Sequence, residues 1–352
     1  MEKVLVGLSG GVDSSVTACI VTEEYGRDNV TGVTMKLWNG KYKGGSKDAC
    51  FSQHEDDDIK CAERLCQKLG IQHLVIDCSE EYDNTIINYF RNSYKNGETP
   101  NPCIRCNAEF KFGLMPNLAK KFVKFDKFAT GHYCRIKNID GKYTLQMARN
   151  KKKDQSYFLS RLSQEQLITT LFPIGEIETK DQVREIARIF HLDVSEKDDS
   201  MDFYSGEINE LLRFEPRIGD VVDLNSNIIG KHLGYWNYTI GQRHGLNISS
   251  KEPLYVVDIK PCQNRIVVGN KTQACCKSFK LKNINWFLDI KDNSKYYPIK
   301  IRSNGNFLNG KIIDNEIILE KEAFGVTPGQ TAVVYTKQTS GCIVCSGIIY
   351  KE

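Results

Sequence analysis

Long apolar runs are missing from this chain. No stretch reaches the ~18 consecutive apolar residues that a bilayer-spanning helix needs, so no membrane-spanning helix is expected. An excess of one charge is missing too: 48 Lys and Arg stand against 44 Asp and Glu, a net of +4 at pH 7. That balance neither demands nor excludes a nucleic-acid partner; it moves the question to where the basic residues lie. There is no internal repeat and no low-complexity tract, which argues against solenoids and disordered tails. The opening Met1-Glu2-Lys3-Val4-Leu5-Val6 carries neither the apolar core of a secretory signal nor the Arg-rich look of a transit peptide. The expectation is a cytoplasmic protein with no membrane partner.

What is present is a globular composition, with 40% hydrophobic and 26% charged residues. The 352 residues suggest roughly two to three domains. Thirteen cysteines are also present, an odd number. In a reducing compartment most are expected to be buried thiols, and a few to be nucleophiles or metal ligands.

Along the first part of the chain, strand and helix patterns alternate. Val4–Val6 is an apolar run, Val16–Val21 the apolar part of a helix, and Val30–Trp38 a second strand. Asp57–Leu69 has helical spacing and ends before Gly70, where a C-cap belongs. His73–Cys78 reads as a strand, Glu80–Tyr94 as a helix, Phe110–Phe122 as a helix that Pro116 kinks or divides, and Lys127–Tyr133 as a strand. This order predicts an α/β fold, a parallel sheet covered by helices. Asp140-Gly141 between alternating residues predicts a hairpin, and helical patterning returns between Asp154 and Leu192. After about Ser200 helices become rare. From Lys280 six short strands predict a small β-barrel or sandwich: Ile284–Leu288, Tyr297–Ile301, Lys311–Ile313, Glu316–Leu319, Thr331–Tyr335 and Cys342–Tyr350.

The chemistry begins at Gly7-Leu8-Ser9-Gly10-Gly11-Val12-Asp13-Ser14-Ser15, between a strand and a helix. A glycine-rich turn there leaves backbone N–H groups at the positive end of the helix dipole, which makes an anion site. It lacks the lysine of a Walker A loop and the spacing of a dinucleotide fingerprint. Asp13 is a candidate Mg²⁺ ligand beside bound phosphates. A second feature is the pair Cys103-x-x-Cys106, preceded by Pro100 and Pro102, which favour an extended backbone able to present the thiols.

The loop resembles the SGGxDS signature of the PP-loop ATP pyrophosphatases. Further blocks are similar to one family of that superfamily, the tRNA-specific 2-thiouridylases (MnmA/TrmU type). These blocks are Thr99-Pro100-Asn101-Pro102 through Cys106-Asn107, Ala129–Tyr133, Lys153–Leu159, Tyr238–Arg243 and Val326–Gln330. The resemblance implies ATP-dependent replacement of the C2 oxygen of the wobble uridine of tRNA by sulfur. It implies a PP-loop catalytic domain over 1–205, a small central domain over 206–276 and a C-terminal β-barrel over 277–352.

By the same resemblance, Gly7, Leu8, Ser9, Gly10, Gly11, Val12, Asp13, Ser14, Met35 and Gly131 match ATP-binding positions, and Cys106 matches the nucleophile. Asn101, Pro102 and Cys103 match the stretch that meets the target base. His132, Lys153, Asp154, Gln155, Arg302, Ser303 and Gln330 match tRNA contacts. ATP, Mg²⁺, tRNA and a persulfide or sulfide donor are the implied cofactors and partners.

One block departs from the family. Where members carry a second cysteine, this chain reads Lys197-Asp198-Asp199-Ser200-Met201-Asp202-Phe203-Tyr204. The position of Cys103 is an aspartate in many members, so the two residue types look exchanged. Two repairs stand side by side: Cys103 takes the missing thiol's role, or Cys103, Cys106 and Asp202 hold an iron–sulfur cluster.

The remaining features have plain readings. Cys50, Cys61, Cys66, Cys275 and Cys276 read as incidental thiols. Cys342-x-x-Cys345 invites a zinc site shared with Cys103 and Cys106, but the pairs are far apart in sequence. Lys120–Lys127 and Lys151–Lys153 are either solvated faces or phosphate contacts. Two other functions compete: a PP-loop enzyme acting on a small molecule, and a metal-bound RNA-binding module.

Overall fold

The structure is a computed structural model that describes residues 1–43, 49–193, 203–289 and 294–351. Two compact units emerge from it. The first comprises Met1–Ile87, Pro102–Leu211 and Thr339–Ile343; the second comprises Asn88–Asn101, Leu212–Gln338 and Val344–Glu352.

The first unit is built on a parallel sheet of β1 (Val4–Gly7), β2 (Val30–Lys36), β3 (Gln72–Asp77), β4 (Lys127–Thr130) and a two-residue strand, Thr170–Leu171. Their order is β3-β2-β1-β4, with Thr170–Leu171 at the far edge. Val4, Leu5 and Val6 have no polar alternation because β1 is covered on both faces, and all three are buried. Each such side chain contributes roughly 1.5–3 kcal/mol. Helices α1 (Val12–Tyr25) and α2 (Glu55–Leu69) pack into the same core through Val16, Ala18, Cys19, Ala62 and Leu65. Four acids open α2, where they suit the helix dipole, and Gly70 closes it in the left-handed conformation.

The strand order reverses direction between β1 and β4, and the chain leaves both at their C-terminal ends. In open parallel sheets that crevice is where ligands bind. The glycine-rich loop after β1 and Gly131-His132 after β4 both sit there.

The hairpin forms as expected: Cys134–Ile139 pairs with Lys142–Met147, and Asp140 and Gly141 both take positive φ. The segment carrying the paired cysteines does not form the extended loop that its prolines suggested. Pro102–Arg105 is a helical turn, and Cys106–Leu114 continues it as a π-helix before Met115–Ala119. Pro102 opens this helical run, where its fixed φ is suited and its missing N–H costs no hydrogen bond. Pro116 likewise falls at the start of a helical segment and does not end the run. The edge strand Thr170–Leu171 has no signal in the sequence, since two residues carry no periodicity; pairing with β4 makes it.

The second unit contains a four-stranded sheet of Gly219–Val222, Ile228–His232, Tyr255–Lys260 and Arg265–Gly269. It also contains a closed six-stranded barrel around Leu281, Ile299, Ile312, Ile317, Val334 and Ile349. Its first strand, Cys275–Trp286, begins well before Ile284; register shifts after Cys276 and after Lys282 interrupt the alternation without ending the strand.

Candidate active site

The loop after β1 is held by its own serines. The Ser9 backbone N–H donates to Ser14 Oγ at 3.2 Å, and the Ser14 and Ser15 hydroxyls donate to the Gly11 carbonyl at 3.0 and 2.8 Å. Gly10 has φ +68°, and a Cβ there would lie 2.7 Å from the Asp58 backbone. Gly11 caps α1 without a side-chain hydrogen bond, so the first-turn N–H groups have no capping side chain to satisfy them. Gly131 approaches from β4 so closely that a Cβ would sit 2.6 Å from Ser14 N. The result is a rigid anion cradle with backbone on both sides. Met35 lies half-buried on β2, beyond which the backbone N–H groups of Leu37 and Trp38 donate to the Glu55 carboxylate at 2.6 and 2.9 Å.

Asp13 stands in the first turn of α1. Its Oδ1 accepts from the Tyr133 hydroxyl and from Lys180 Nζ, each at 2.7 Å. Lys180 opens a helix, Lys180–Ile189, capped by reciprocal bonds between Thr179 and Gln182. A cation at a helix start opposes the dipole, and the ion pair with Asp13 offsets that cost. Tyr133 is held in turn by Gln155: its N–H donates to Gln155 Oε1 at 2.8 Å, and its carbonyl accepts from Gln155 N at 2.8 Å.

The thiol site lies on the π-helix. In an i→i+5 helix, residues five apart fall on the same side, and Lys111 acts on Cys106. Cys106 is buried, and the Tyr82 hydroxyl donates to its sulfur. Burial pushes the Cys106 thiol up to about 11, while Lys111 and the Tyr82 bond pull against it. Desolvation pulls the Lys111 ammonium down, but the charges that Cys50, Cys106 and Cys103 can carry outweigh it, and its pKa stands above the usual lysine value. His132 packs between Phe112 and Phe172, with Nδ1 2.9 Å from Thr130 Oγ1. Burial and then the Lys111 charge push it down to about 3, so its imidazole is neutral at physiological pH. Asn107 is buried and donates from Nδ2 to the Phe158 carbonyl at 3.1 Å; its Oδ1 meets no donor.

Because the Cys106 thiol is raised, little of it is thiolate near neutrality. Alkylation of Cys106 by iodoacetamide is expected to rise about tenfold per pH unit above about pH 7, with no plateau before about pH 10. Lys111→Met is expected to slow it further at every pH. Peptide-resolved alkylation rates check both, and a plateau already reached near neutrality contradicts the assignment.

The comparisons with known proteins bear on this arrangement. A family description, "tRNA methyl transferase HUP domain", matches residues 2–204. "tRNA methyl transferase PRC-barrel domain" matches 208–270, and "Aminomethyltransferase beta-barrel domain" matches 276–349. The protein named tRNA-specific 2-thiouridylase MnmA of Endomicrobium trichonymphae is 42% identical over 351 residues, covering 96% of each chain. The proteins of that name from Gloeothece citriformis and Rickettsia typhi are 40% and 39% identical, each covering 95% of this chain and 96% of its own. This chain belongs to the tRNA-specific 2-thiouridylase family.

For a 2-thiouridylase, the remaining matched positions divide into two kinds. Some are occupied with internal bonds. Asp154 Oδ1 accepts from Ala148 N at 2.8 Å and its Oδ2 from Ser156 Oγ at 2.7 Å, so Asp154 and Gln155 brace the turn below Tyr133. In the second unit Gln330 Nε2 donates to the Thr99 carbonyl at 2.9 Å, which anchors the chain ahead of Asn101. Of the others, Lys151, Lys152 and Arg302 are exposed, and Lys153 and Ser303 are half-buried. Arg302 also donates to the Gly325 carbonyl at 2.7 Å. Asp202 lies outside the described residues. Among the described residues no three His, Cys, Asp or Glu side chains are grouped to hold a metal ion. Sequence reasoning missed Lys111, Tyr82, Lys180 and Cys50. Only Lys111 had a signal, its spacing from Cys106, and that spacing counts only in a π-helix.

Proposed function

We propose that this 2-thiouridylase activates the C2 oxygen of the wobble uridine (U34) of tRNA with ATP and replaces it with sulfur. The observation that carries this reading is the end of β4. Gly131 presses on the first turn of the phosphate loop, and the next residue, His132, feels the ammonium that faces the thiols. One dipeptide thus joins an anion cradle to a desolvated nucleophile. That is the pairing an adenylating sulfurtransferase requires.

A carbonyl oxygen does not leave as oxide. The C2 oxygen attacks the α-phosphorus of ATP, and pyrophosphate departs. A sulfur nucleophile then adds at C2, and AMP leaves with the oxygen. The loop from Gly7 to Ser14 binds the phosphates through backbone N–H groups. Mg²⁺ would be held mainly by phosphate oxygens, with Asp13 as the protein carboxylate, and would neutralise charge at the leaving pyrophosphate. Lys180 and Tyr133 fix the orientation of Asp13. Lys111 supplies the charge that favours a sulfur anion at Cys106, and His132 bounds the site as a neutral group.

We read the chain as a family variant without the usual second catalytic cysteine, with Cys103 and Cys106 as the thiols of the helical turn. The iron–sulfur alternative needs Asp202 as its third ligand. The described residues alone form no such ligand set, and the mechanism proposed here routes no step through a cluster. Exposed Lys151 and Lys152, with Lys153, Arg302 and Ser303, are assigned to the tRNA backbone. The sulfur comes from an external persulfide or sulfide donor. We take the cytoplasm as its compartment, where tRNA, ATP and reduced thiols coexist. No helix among the described residues is long and apolar enough to cross a membrane.

Nucleoside analysis of tRNA incubated with the enzyme, ATP, Mg²⁺ and a persulfide tests the reading. 2-Thiouridine at position 34 is the expected product. AMP formed with a small amide-accepting substrate, and none with tRNA, would overturn it.

Binding of tRNA is expected to weaken with salt. Replacing Lys151, Lys152 and Lys153 together by Ala is expected to reduce the log–log salt slope by roughly one to three units. An unchanged slope would show these lysines to be solvated only.

A further inference from the structure

Cysteine reactivity in this chain sorts by environment. Burial pushes Cys19, Cys66, Cys78 and Cys345 up to about 12 and Cys276 up to about 11, and holds Cys134 well above the usual thiol value. Such thiols are poor nucleophiles. Cys106 is buried and raised as well, to about 11, with Lys111 pulling it down. A buried acceptor raises a question of supply. A persulfide carried by another molecule has to reach a sulfur that is almost wholly covered.

Cys50 answers the question by position. It is exposed, whereas Ala49 and Phe51 on either side are buried. Phe51 anchors it: the ring packs 4.8 Å from Trp38, 5.2 Å from Tyr82 and 6.2 Å from Phe203, and its N–H donates to the Phe203 carbonyl at 3.2 Å. Cys50 is therefore one residue from a ring stacked on Tyr82, the phenol that bonds Cys106. The surroundings of Tyr82 and of Lys111 each include Cys50, Cys103 and Cys106, and for Lys111 the influence of Cys50 is the largest of the three. Cys50, Cys103 and Cys106 thus all act on one phenol and one ammonium, and the most exposed of them is the one that sequence reasoning set aside.

We propose that Cys50 is the thiol at which sulfur enters, taking the sulfane sulfur of an external persulfide and passing it to Cys106. The proposal rests on the sulfurtransferase reading above. In the first step Cys50 Sγ attacks the terminal sulfur of a donor R–S–SH. The new S–S bond forms as the donor's S–S bond breaks, and the donor leaves as a thiolate. In the second step Cys106 Sγ attacks the terminal sulfur of the Cys50 persulfide, and Cys50 leaves as a thiolate. Both steps are transfers between thiolates, so no oxidant or reductant is consumed. Lys111 stabilises the anion on either side of the exchange. Cys103 shares a helical turn with Cys106 and is only half-exposed, which makes it a poorer port for a bulky carrier.

The test loads the full chain with radiolabelled glutathione persulfide, without ATP or tRNA, and maps the label by peptide mass spectrometry after alkylation. Cys106→Ser is expected to trap the label on Cys50, at least about tenfold over Cys103. Cys50→Ser is expected to slow loading of Cys106 by at least about tenfold. An ATP-induced thermal shift reports that each variant is folded; should Cys50→Ser fail that check, the Cys106→Ser trap decides alone. Label on Cys103 rather than Cys50 in the trap would overturn the proposal, as would undiminished loading of Cys106 in folded Cys50→Ser. Failure of the function reading shows separately, as an unsubstituted enzyme that loads sulfur but makes no 2-thiouridine.

Discussion

Cys106→Ser is expected to lower 2-thiouridine formation by at least about 1,000-fold while tRNA-dependent release of pyrophosphate from ATP continues. Serine preserves the size of the side chain and can still accept the Tyr82 hydroxyl bond. It cannot carry a persulfide, and at neutral pH its hydroxyl is a far weaker nucleophile than a thiolate. Lys111 would keep its charge near Cys50 and Cys103, so the site would retain its field and lose only the sulfur. Parallel measurement of pyrophosphate and of thiolated nucleoside separates the two halves of the reaction. A variant that still thiolates tRNA would remove Cys106 from the role of acceptor. One that loses pyrophosphate release as well would show the thiol to be needed for activation.

The second large effect is expected in the other half. Asp13→Asn is expected to reduce pyrophosphate release by about 100-fold or more, with the fold retained. The amide keeps an oxygen for Tyr133 and Lys180, both 2.7 Å from Oδ1, but loses the charge that Mg²⁺ and Lys180 require. Asp13→Ala is the harsher change, because it also leaves Lys180, which is largely covered, without its counter-charge. Comparing thermal stability and pyrophosphate release in the two variants distinguishes a catalytic carboxylate from a structural one. Full activity in Asp13→Asn would reduce its role to bracing the loop.

Much of the phosphate-binding half was legible because its chemistry is local. Strand, glycine-rich turn and helix succeed one another within Val4–Tyr25, and an anion site made of backbone N–H groups needs little else. The hairpin at Asp140-Gly141 was legible for the same reason: two residues of positive φ decide it. Pro100 and Pro102 were misleading. Proline restricts its predecessor and its own φ, yet it also starts helices, and the residues C-terminal to it decide between the two roles.

The sequence by itself determined the parallel sheet, the β-rich second half and the position of the phosphate loop. These rest on periodicity, turn chemistry and residue order, all properties of neighbours along the chain. Only the tertiary structure decided which of thirteen thiols stand together. Cys50 and Cys106 both act on Tyr82 and Lys111, and Asp13 pairs with Lys180. The physical reason is that a thiol's reactivity is set by desolvation and by the charges around it. Both come from side chains that folding brings near, whatever their separation in sequence.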